Sequence, residues 1–561
     1  MRKTQLVGVL VLITTTLCAQ TMTFDWVRQM GGASFNNGSS IVLDAAGNVY
    51  TTGSFQGTAD FDPGVGVFNL TAVGAGDIFI SKLDAAGNFI WAKQMGGTTT
   101  DEGRSITVDA AGNVYTTGHF TGTADFDPGT SSYNLTAVAD MDIFISKLGP
   151  MGDFVWAKQM GASSFDIGQA IEVDAAGNVY TTGFFYNTVD FDPGAGTYNL
   201  SATSGHDMFI LKLDALGDFV WAKQMGGSII HFGLALKVDV AGNIYTTGHF
   251  RETVDFDPGL GTYNPTSAGE QDIFVHKLDP SGNFVWTKQF EGTGNDGGQS
   301  LALDLLGNVY TTGYFQGTAD FDPGVGVFNL TSVGDADIFV SKLDASGHFV
   351  WAKQLSGSSF EVGSSITVGA AGEVYVSGAF MNTVDFDAGI GVFNLTSSGG
   401  IDVFVHKMDA AGDFEWAVQM GSTDFDESLA VAVDAAGNVY TTGYFQGTVD
   451  FDPGTGSANM TSVGTRDIFV HKMSPMLVGT ADKTIFKQVK IYPNPSEGAV
   501  TVDLSGIDNA QIRVMTTAGR VVYENEVENE TDRFEINGAA GMYYVQIITP
   551  RSKKVFKLVK R

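Results

Sequence analysis

The chain has 561 residues, too many for one ordinary domain, and its 43% apolar content rules out wholesale disorder. A formal net charge of −31 argues against nucleic-acid binding and against docking on an anionic membrane. Glycine is abundant at 72 residues and proline scarce at 13, the profile of many short strands joined by tight turns.

At the N-terminus, Arg2 and Lys3 precede an apolar run from Leu6 to Leu17 and then Cys18-Ala19-Gln20. This is the pattern of an export signal cleaved after Ala19. The run is too short to cross a bilayer as a helix, so residues 1–19 are expected to be removed, leaving no transmembrane segment in the mature chain. Cys18 is the only cysteine, so the mature protein is expected to lack disulfides and thiol chemistry.

Residues 20–474 are periodic. Trp26, Trp91, Trp156, Trp221, Trp286, Trp351 and Trp416 recur at intervals of 65 residues. Each unit predicts four antiparallel strands, in the second unit Ser105–Asp109, Val114–Phe120, Ile143–Leu148 and Phe154–Met160. Asp-Ala-Ala-Gly-Asn turns join them, with Asp capping the turn and Gly supplying its left-handed residue. The N-terminal fragment supplies only a fourth strand, and the last unit stops after its third, Arg466–Met473. The expected architecture is therefore an all-β, seven-bladed propeller closed by its N-terminal strand, with no open sheet edge. The tryptophans are expected to pack blade on blade.

Between strands two and three each unit carries Asp-Phe-Asp-Pro-Gly, with Ala388 replacing the proline once. This gives seven pairs: Asp60 and Asp62, Asp125 and Asp127, Asp190 and Asp192, Asp255 and Asp257, Asp320 and Asp322, Asp385 and Asp387, and Asp450 and Asp452. In an extended segment two such carboxylates lie ~7 Å apart and repel by about 0.6 kcal/mol in water. Two readings follow. Each pair is either a strand end capping the Pro-Gly turn or part of a calcium site. The match to a calcium-binding EF-hand loop is poor, since Phe and Pro interrupt it and Thr71 stands where a bidentate Glu belongs, so further oxygens would come from elsewhere in the fold. A second set, ten residues after each Trp, comprises Asn36, Asp101, Asp166, His231, Asp296, Glu361 and Asp426, and is expected on the same end of the propeller.

No catalytic residues are nominated, because groups repeated in every unit do not converge on one point and no hydrolase or phosphate-loop motif is present. His276, His406 and His471 share a register with Ser81 and read as surface variation. A more variable register near the end of strand two holds His119, Phe184, His249, Tyr314 and Tyr444, with Arg251 nearby. As an exposed ring it would suit stacking on sugars or gripping a protein. His231 and Arg251–Glu252 mark the sector where an enzymatic site would be sought.

After a linker at 475–486, residues 487–561 alternate as a small β-sandwich with a slight excess of Lys and Arg. Through "KIYPNPSEGAVTVDL", "TTAGRVVYE" and "GMYYVQIIT…KVFKLVKR" this tail resembles the C-terminal sorting domain of type IX (Por) secretion cargo of Bacteroidetes. Pro493, Asn494, Pro495, Gly498, Gly541, Lys560 and Arg561 lie in the matching motifs. The resemblance implies passage across the outer membrane by the type IX machinery, then removal of the tail and release or surface attachment. Through Asp-x-x-Gly-Asn-x-Tyr-x-x-Gly and Gly-Asn-Phe-x-Trp, the repeats resemble the SBBP β-propeller family, which implies the fold but no common activity. The expected function is that of an exported, non-catalytic interaction or structural module binding an extracellular glycan or protein. The alternative is a calcium-dependent carbohydrate-active hydrolase or lyase.

Overall fold

The computed structural model describes residues 22–227, 230–475, 489–505, 507, 510–516, 521–527, 531–536, 538–549 and 552–561. The export signal read at 1–19 and residues 476–486 of the linker lie outside them. Two compact units emerge, Thr23–Ser474 and the segment from Pro475 to Arg561. In both, every regular element among the described residues is a strand.

Local chemistry sets the strand ends in the first unit. Asp44 Oδ1 accepts the N–H groups of Ala46 and Asn48, both at 2.9 Å, and its Oδ2 accepts the Asn48 side-chain amide at 2.7 Å. Gly47 takes φ +78°, which a residue with a Cβ resists. The second repeat then forms an antiparallel sheet from Glu102–Val108, Val114–Phe120, Asp142–Leu148 and Phe154–Met160, hydrogen-bonded in that order. The N-terminal strand, Met22–Gly32, lies hydrogen-bonded beside Asp467–Pro475 of the last repeat.

First strands of successive repeats stand side by side. Ser40 Oγ accepts the Ile106 N–H at 3.3 Å, and Ser105 Oγ accepts the Ile171 N–H at 3.3 Å. Apolar side chains of adjacent repeats share one core. Tyr50, Ile78, Ile80, Trp91 and Met95 pack with Val114, Phe120, Phe126, Phe144 and Leu148. The Trp91 ring meets Tyr50 edge-on at 6.2 Å, and its Nε1 donates to the Pro150 carbonyl at 3.3 Å, in the next repeat.

The reading of four strands per repeat is incomplete. Asp-Phe-Asp-Pro-Gly sits in an extra two-stranded hairpin, Thr58–Asp60 against Asn69–Thr71 in the first repeat. This hairpin also pairs with the fourth strand of the preceding repeat: Asp60 opposite Gly31 and Ala59 opposite Gly32, then Asp125 opposite Gly96 and Ala124 opposite Gly97. Hence the double glycines Gly31-Gly32, Gly96-Gly97 and Gly226-Gly227, for a Cβ on Gly97 would stand 2.0 Å from the Thr123 carbonyl oxygen. Phe61, fully buried, anchors the hairpin between Phe55 and Phe79, with ring centroids at 5.2 and 5.0 Å.

The C-terminal unit pairs Lys490–Tyr492, Ala499–Asp503 and Thr531–Glu535 in one sheet, and Val521–Val527, Ala510–Thr516, Gly541–Thr549 and Ser552–Lys560 in another. Val502, Ile512, Val514, Val545, Ile547 and Leu558 form its core.

Candidate functional site

The hairpin aspartates are held by backbone donors. Asp60 Oδ1 accepts the N–H groups of Asp62 at 3.0 Å and Phe68 at 2.8 Å, and Asp62 Oδ1 accepts the Gly64 N–H at 2.9 Å. The first aspartate of each later pair does what Asp60 does. Asp125, Asp190, Asp255, Asp320, Asp385 and Asp450 each accept two backbone N–H groups, at 2.7–3.1 Å. The second repeats the role of Asp62. Asp127, Asp192, Asp257, Asp322, Asp387 and Asp452 accept the N–H groups of Gly129, Gly194, Gly259, Gly324, Gly389 and Gly454 in turn, at 2.8–2.9 Å.

One oxygen of every carboxylate is thereby committed to N–H groups, which close the hairpin tip. That is the arrangement the turn-cap reading of these fourteen residues expects. Among the described residues no cluster of three acidic, His or Cys side chains suited to a metal ion occurs. The geometry is that of a turn cap.

The variable register does not form an exposed ring. His119, Phe184 and His249 are 3%, 8% and 8% exposed, because their side of strand two packs against the neighbouring repeat. Phe184, His206, Phe232 and His249 nest together, with Phe184–Phe232 at 4.8 Å and His206–Phe232 at 4.4 Å. Burial lowers the pKa of His119 to about 3 and of His249 to about 4. Tyr314 and Tyr444 are half-buried; the Tyr444 hydroxyl donates to Glu427 at 2.9 Å, beneath the Arg466 guanidinium. His231, 1% exposed, is no part of an open cleft, while Arg251 is half-buried and Glu252 sits at φ +62°.

Two other registers read as surface are interior. His276, His406 and His471 are fully buried, and His406 and His471 meet the Phe386 and Phe451 carbonyls of the hairpins at 2.9 and 3.0 Å. The residues ten after each Trp are all buried at the junctions between repeats, not displayed on an acidic face. His276 meets the Thr287 hydroxyl at 2.8 Å, and Asp101, Asp166 and Asp426 each accept two backbone N–H groups from adjoining loops, contacts that strand periodicity does not reveal.

A feature missed in the sequence is a cavity of about 560 Å³ lined by the first strands of all the repeats. Here the repeat breaks with Arg104, Gln169, Glu172, Lys237 and Gln299. Lys237 Nζ meets Glu172 at 2.9 Å and Arg104 meets Glu102 at 3.0 Å. Comparing each unit with the next, 65 residues on, would have flagged these charges, since their registers hold Ser, Leu, Val, Thr or Ala elsewhere.

In the C-terminal unit the motif residues meet at one end. Asn494 Oδ1 accepts the Val559 N–H at 3.0 Å, its Nδ2 donates to Lys557 at 2.8 Å, and the Arg561 N–H donates to Ser496 at 2.8 Å. Lys560 Nζ donates to the Ile536 and Gly538 carbonyls, both at 2.7 Å. Gly498 and Gly541 take φ +135° and +153°, and Pro493 and Pro495 each follow a cis peptide bond.

The chain is 26% identical over 503 residues to an uncharacterized WD repeat-containing protein of Acanthamoeba polyphaga mimivirus, covering 75% of this chain and 36% of that one. It is 24% identical over 359 residues to the regulatory protein FlaEY of Caulobacter vibrioides, covering 60% and 34%. It thus spans about a third of the length of these curated relatives. Solved structures similar to it include Sqt1 of Chaetomium thermophilum (10% identity, TM-score 0.37, covering 81% of this chain and all of that one). Another is PorZ, a surface component of the type IX secretion system of Porphyromonas gingivalis (11%, TM-score 0.16, 95% and all). Family models match residues 90–126 and 285–318 as a β-propeller repeat and residues 490–561 as a secretion system C-terminal sorting domain. The chain therefore joins SBBP-type β-propeller repeats to a type IX sorting domain, which directs it to the cell surface or the medium, where the tail is cleaved.

Proposed function

We infer that this exported protein is a non-catalytic propeller of seven blades, closed by its N-terminal strand, which receives a polar extracellular ligand in its central channel. The closure is supported by one hydrogen bond that recurs between repeats: the Asp101 N–H donates to Gly76 at 2.8 Å, and at the meeting of first and last repeats the Asn36 N–H donates to Arg466 at 3.2 Å. The observation that carries the binding role is the break in the repeat within the cavity, where Arg104, Gln169, Glu172, Lys237 and Gln299 replace small or apolar residues. A cavity of about 560 Å³ with hydrogen-bonding walls suits a glycan segment better than an apolar peptide. The hairpin aspartates serve as turn caps in this reading, with calcium playing no part.

The test is binding of the secreted protein to a glycan array, beside the variants Glu172→Ala and Lys237→Ala. Loss of the pair is expected to weaken binding by about tenfold or more, equivalent to ~1.4 kcal/mol. Equal binding by both variants would overturn the channel assignment. Release of new reducing ends from a bound polysaccharide would instead favour the carbohydrate-active hydrolase or lyase.

A further inference from the structure

Every junction between repeats brings the residue ten after a Trp against the aspartate that opens strand three of the preceding sheet. In five junctions both are acids: Asp77 with Asp101, Asp142 with Asp166, Asp272 with Asp296, Asp337 with Glu361 and Asp402 with Asp426, all 0–1% exposed. The Asp101 N–H donates to the carbonyl of Gly76, which precedes Asp77, and the same bond forms at Asp166, Asp296, Glu361 and Asp426.

The hydrogen bonds around these acids leave a specific deficit. Asp77 Oδ2 accepts from Val73 N–H at 3.1 Å and the Gln94 amide at 2.7 Å. Asp101 accepts from Gly97 N–H at 2.7 Å and Thr121 N–H at 3.1 Å. Asp77 Oδ1 has no partner. The same oxygen is bare in Asp142, Asp337 and Asp402, and at the junction of Asp272 with Asp296 it is Oδ2 of Asp296. Asp337 also faces a second bare oxygen, Oε2 of Glu361. An unpartnered carboxylate oxygen with no access to water, beside a second carboxylate, is a costly arrangement.

The meeting of first and last repeats supplies the missing part. There Asn36 replaces the second acid, and its Nδ2 donates to Asp467 Oδ1 at 3.2 Å, so the oxygen that is bare elsewhere has a hydrogen. At the one remaining junction His231 takes the place of the second acid, and Asp207 Oδ1 has no partner there.

We propose that each of the five acid–acid junctions takes up a proton in mildly acidic surroundings, on a carboxyl oxygen that lacks any other partner, so that the propeller binds protons as its blades dock. The proton makes that oxygen a donor toward the facing carboxyl, the role the Asn36 amide plays at the closing junction. Titration follows the same direction. Burial first, and the facing aspartate after it, push Asp101 and Asp426 up to about 6, Asp166 and Asp296 to about 7 and Glu361 to about 8. Burial also raises Asp77, Asp142, Asp272, Asp337 and Asp402. Other ionisable groups bearing on the pairs are Glu291 beside Asp272, Tyr314 beside Asp296 and Asp335 beside Glu361; none of them supplies a positive charge. Because the folded pKa values lie above those of the unfolded chain, the folded state binds more protons between about pH 4 and 8, and stability falls as pH rises through that window. Blade docking is thus tightest in mildly acidic surroundings and loosens under alkaline ones.

The full-length protein is compared with the variants Asp77→Asn, Asp142→Asn, Asp296→Asn, Asp337→Asn and Asp402→Asn, each of which puts an amide N–H where the proton would sit. Infrared spectra at about pH 6 read the C=O stretch of protonated carboxyls. The parent is expected to show this band, each single variant to lose about a fifth of it, and the combined variant to lose it. Between about pH 6 and pH 9 the parent's melting temperature is expected to fall and the combined variant's to stay nearly level. Asp127→Asn, which removes a charge from a hairpin, is expected to leave the band intact and controls for overall charge. Absence of the band from the parent, or its survival in all five single variants, would overturn the proposal. So would a calcium-induced rise in melting temperature seen in the parent and lost in the variants, since a cation would then hold the pairs.

Discussion

Asp125 and Asp127 in the hairpin of the second repeat are half-buried and accept backbone N–H groups at 2.8–3.0 Å. Asp142 and Asp166, at the junction with the third repeat, are fully buried, and one of their oxygens has no partner. The residue type and the sevenfold repetition are shared; what separates the pairs is the supply of donors and the reach of water. In the hairpin a short loop folds back to offer its N–H groups to each carboxylate, and solvent takes the rest. At the junction two sheets close over the acids, and the charge of the pair depends on what lies between them. The same side chain thus ends a turn in one place and makes docking sensitive to protons in the other.

Several variants would break or sharpen that contrast. The largest effect is expected from Phe126→Ala, which empties a fully buried site between Phe120 at 5.3 Å and Phe144 at 5.1 Å. A loss of about 3–5 kcal/mol in denaturant unfolding would show that a ring, not its flanking acids, holds the hairpin down. Next comes Asp142→Ala, which empties a fully buried site and takes an acceptor from the half-buried Gln159 amide and from the Val138 N–H, and is expected to cost roughly 3 kcal/mol. Asp125→Ala, whose donors Asp127 N–H and Tyr133 N–H can turn to water, is expected to cost only about 1 kcal/mol. Equal costs would erase the distinction between the pairs. The smallest effect is expected from calcium. A site filled at a hundred times its Kd would add about 2.7 kcal/mol, whereas the hairpins are expected to leave the melting temperature unmoved after chelation and calcium addition.

Much of the propeller repeat was legible because it is written in local chemistry. The tryptophan interval, the Asp-Ala-Ala-Gly-Asn turns and most of the strand ranges in the second repeat need only neighbours along the chain, though strand one spans Glu102–Val108 where the pattern suggests Ser105–Asp109, and strand three begins at Asp142 rather than Ile143. The hairpin escaped notice because part of its pairing goes to another repeat, so Thr123–Asp125 looks like the end of a strand rather than a strand with its own partner. The junction acids were misread because a charged residue in a loop signals exposure. Nothing near Asp166 in the sequence announces that the N–H groups of Ala162 and Tyr186 will enclose it. The cavity charges were present as departures from the repeat, but only folding puts Glu172 and Lys237, from different repeats, in contact.

Apart from Gly31 and Gly32, which pair with the first hairpin, the strand Met22–Gly32 finds its partner, Asp467–Pro475, only at the far end of the repeat array. A chain made at about 5–20 residues per second therefore leaves its first strand waiting roughly 20–90 s for the last to appear. Through that interval the growing array carries an unpaired edge at its front, a template for the wrong partner. Whatever escorts the nascent chain outward has this one segment to keep idle, and a protein shortened at either end of the array would never relieve it.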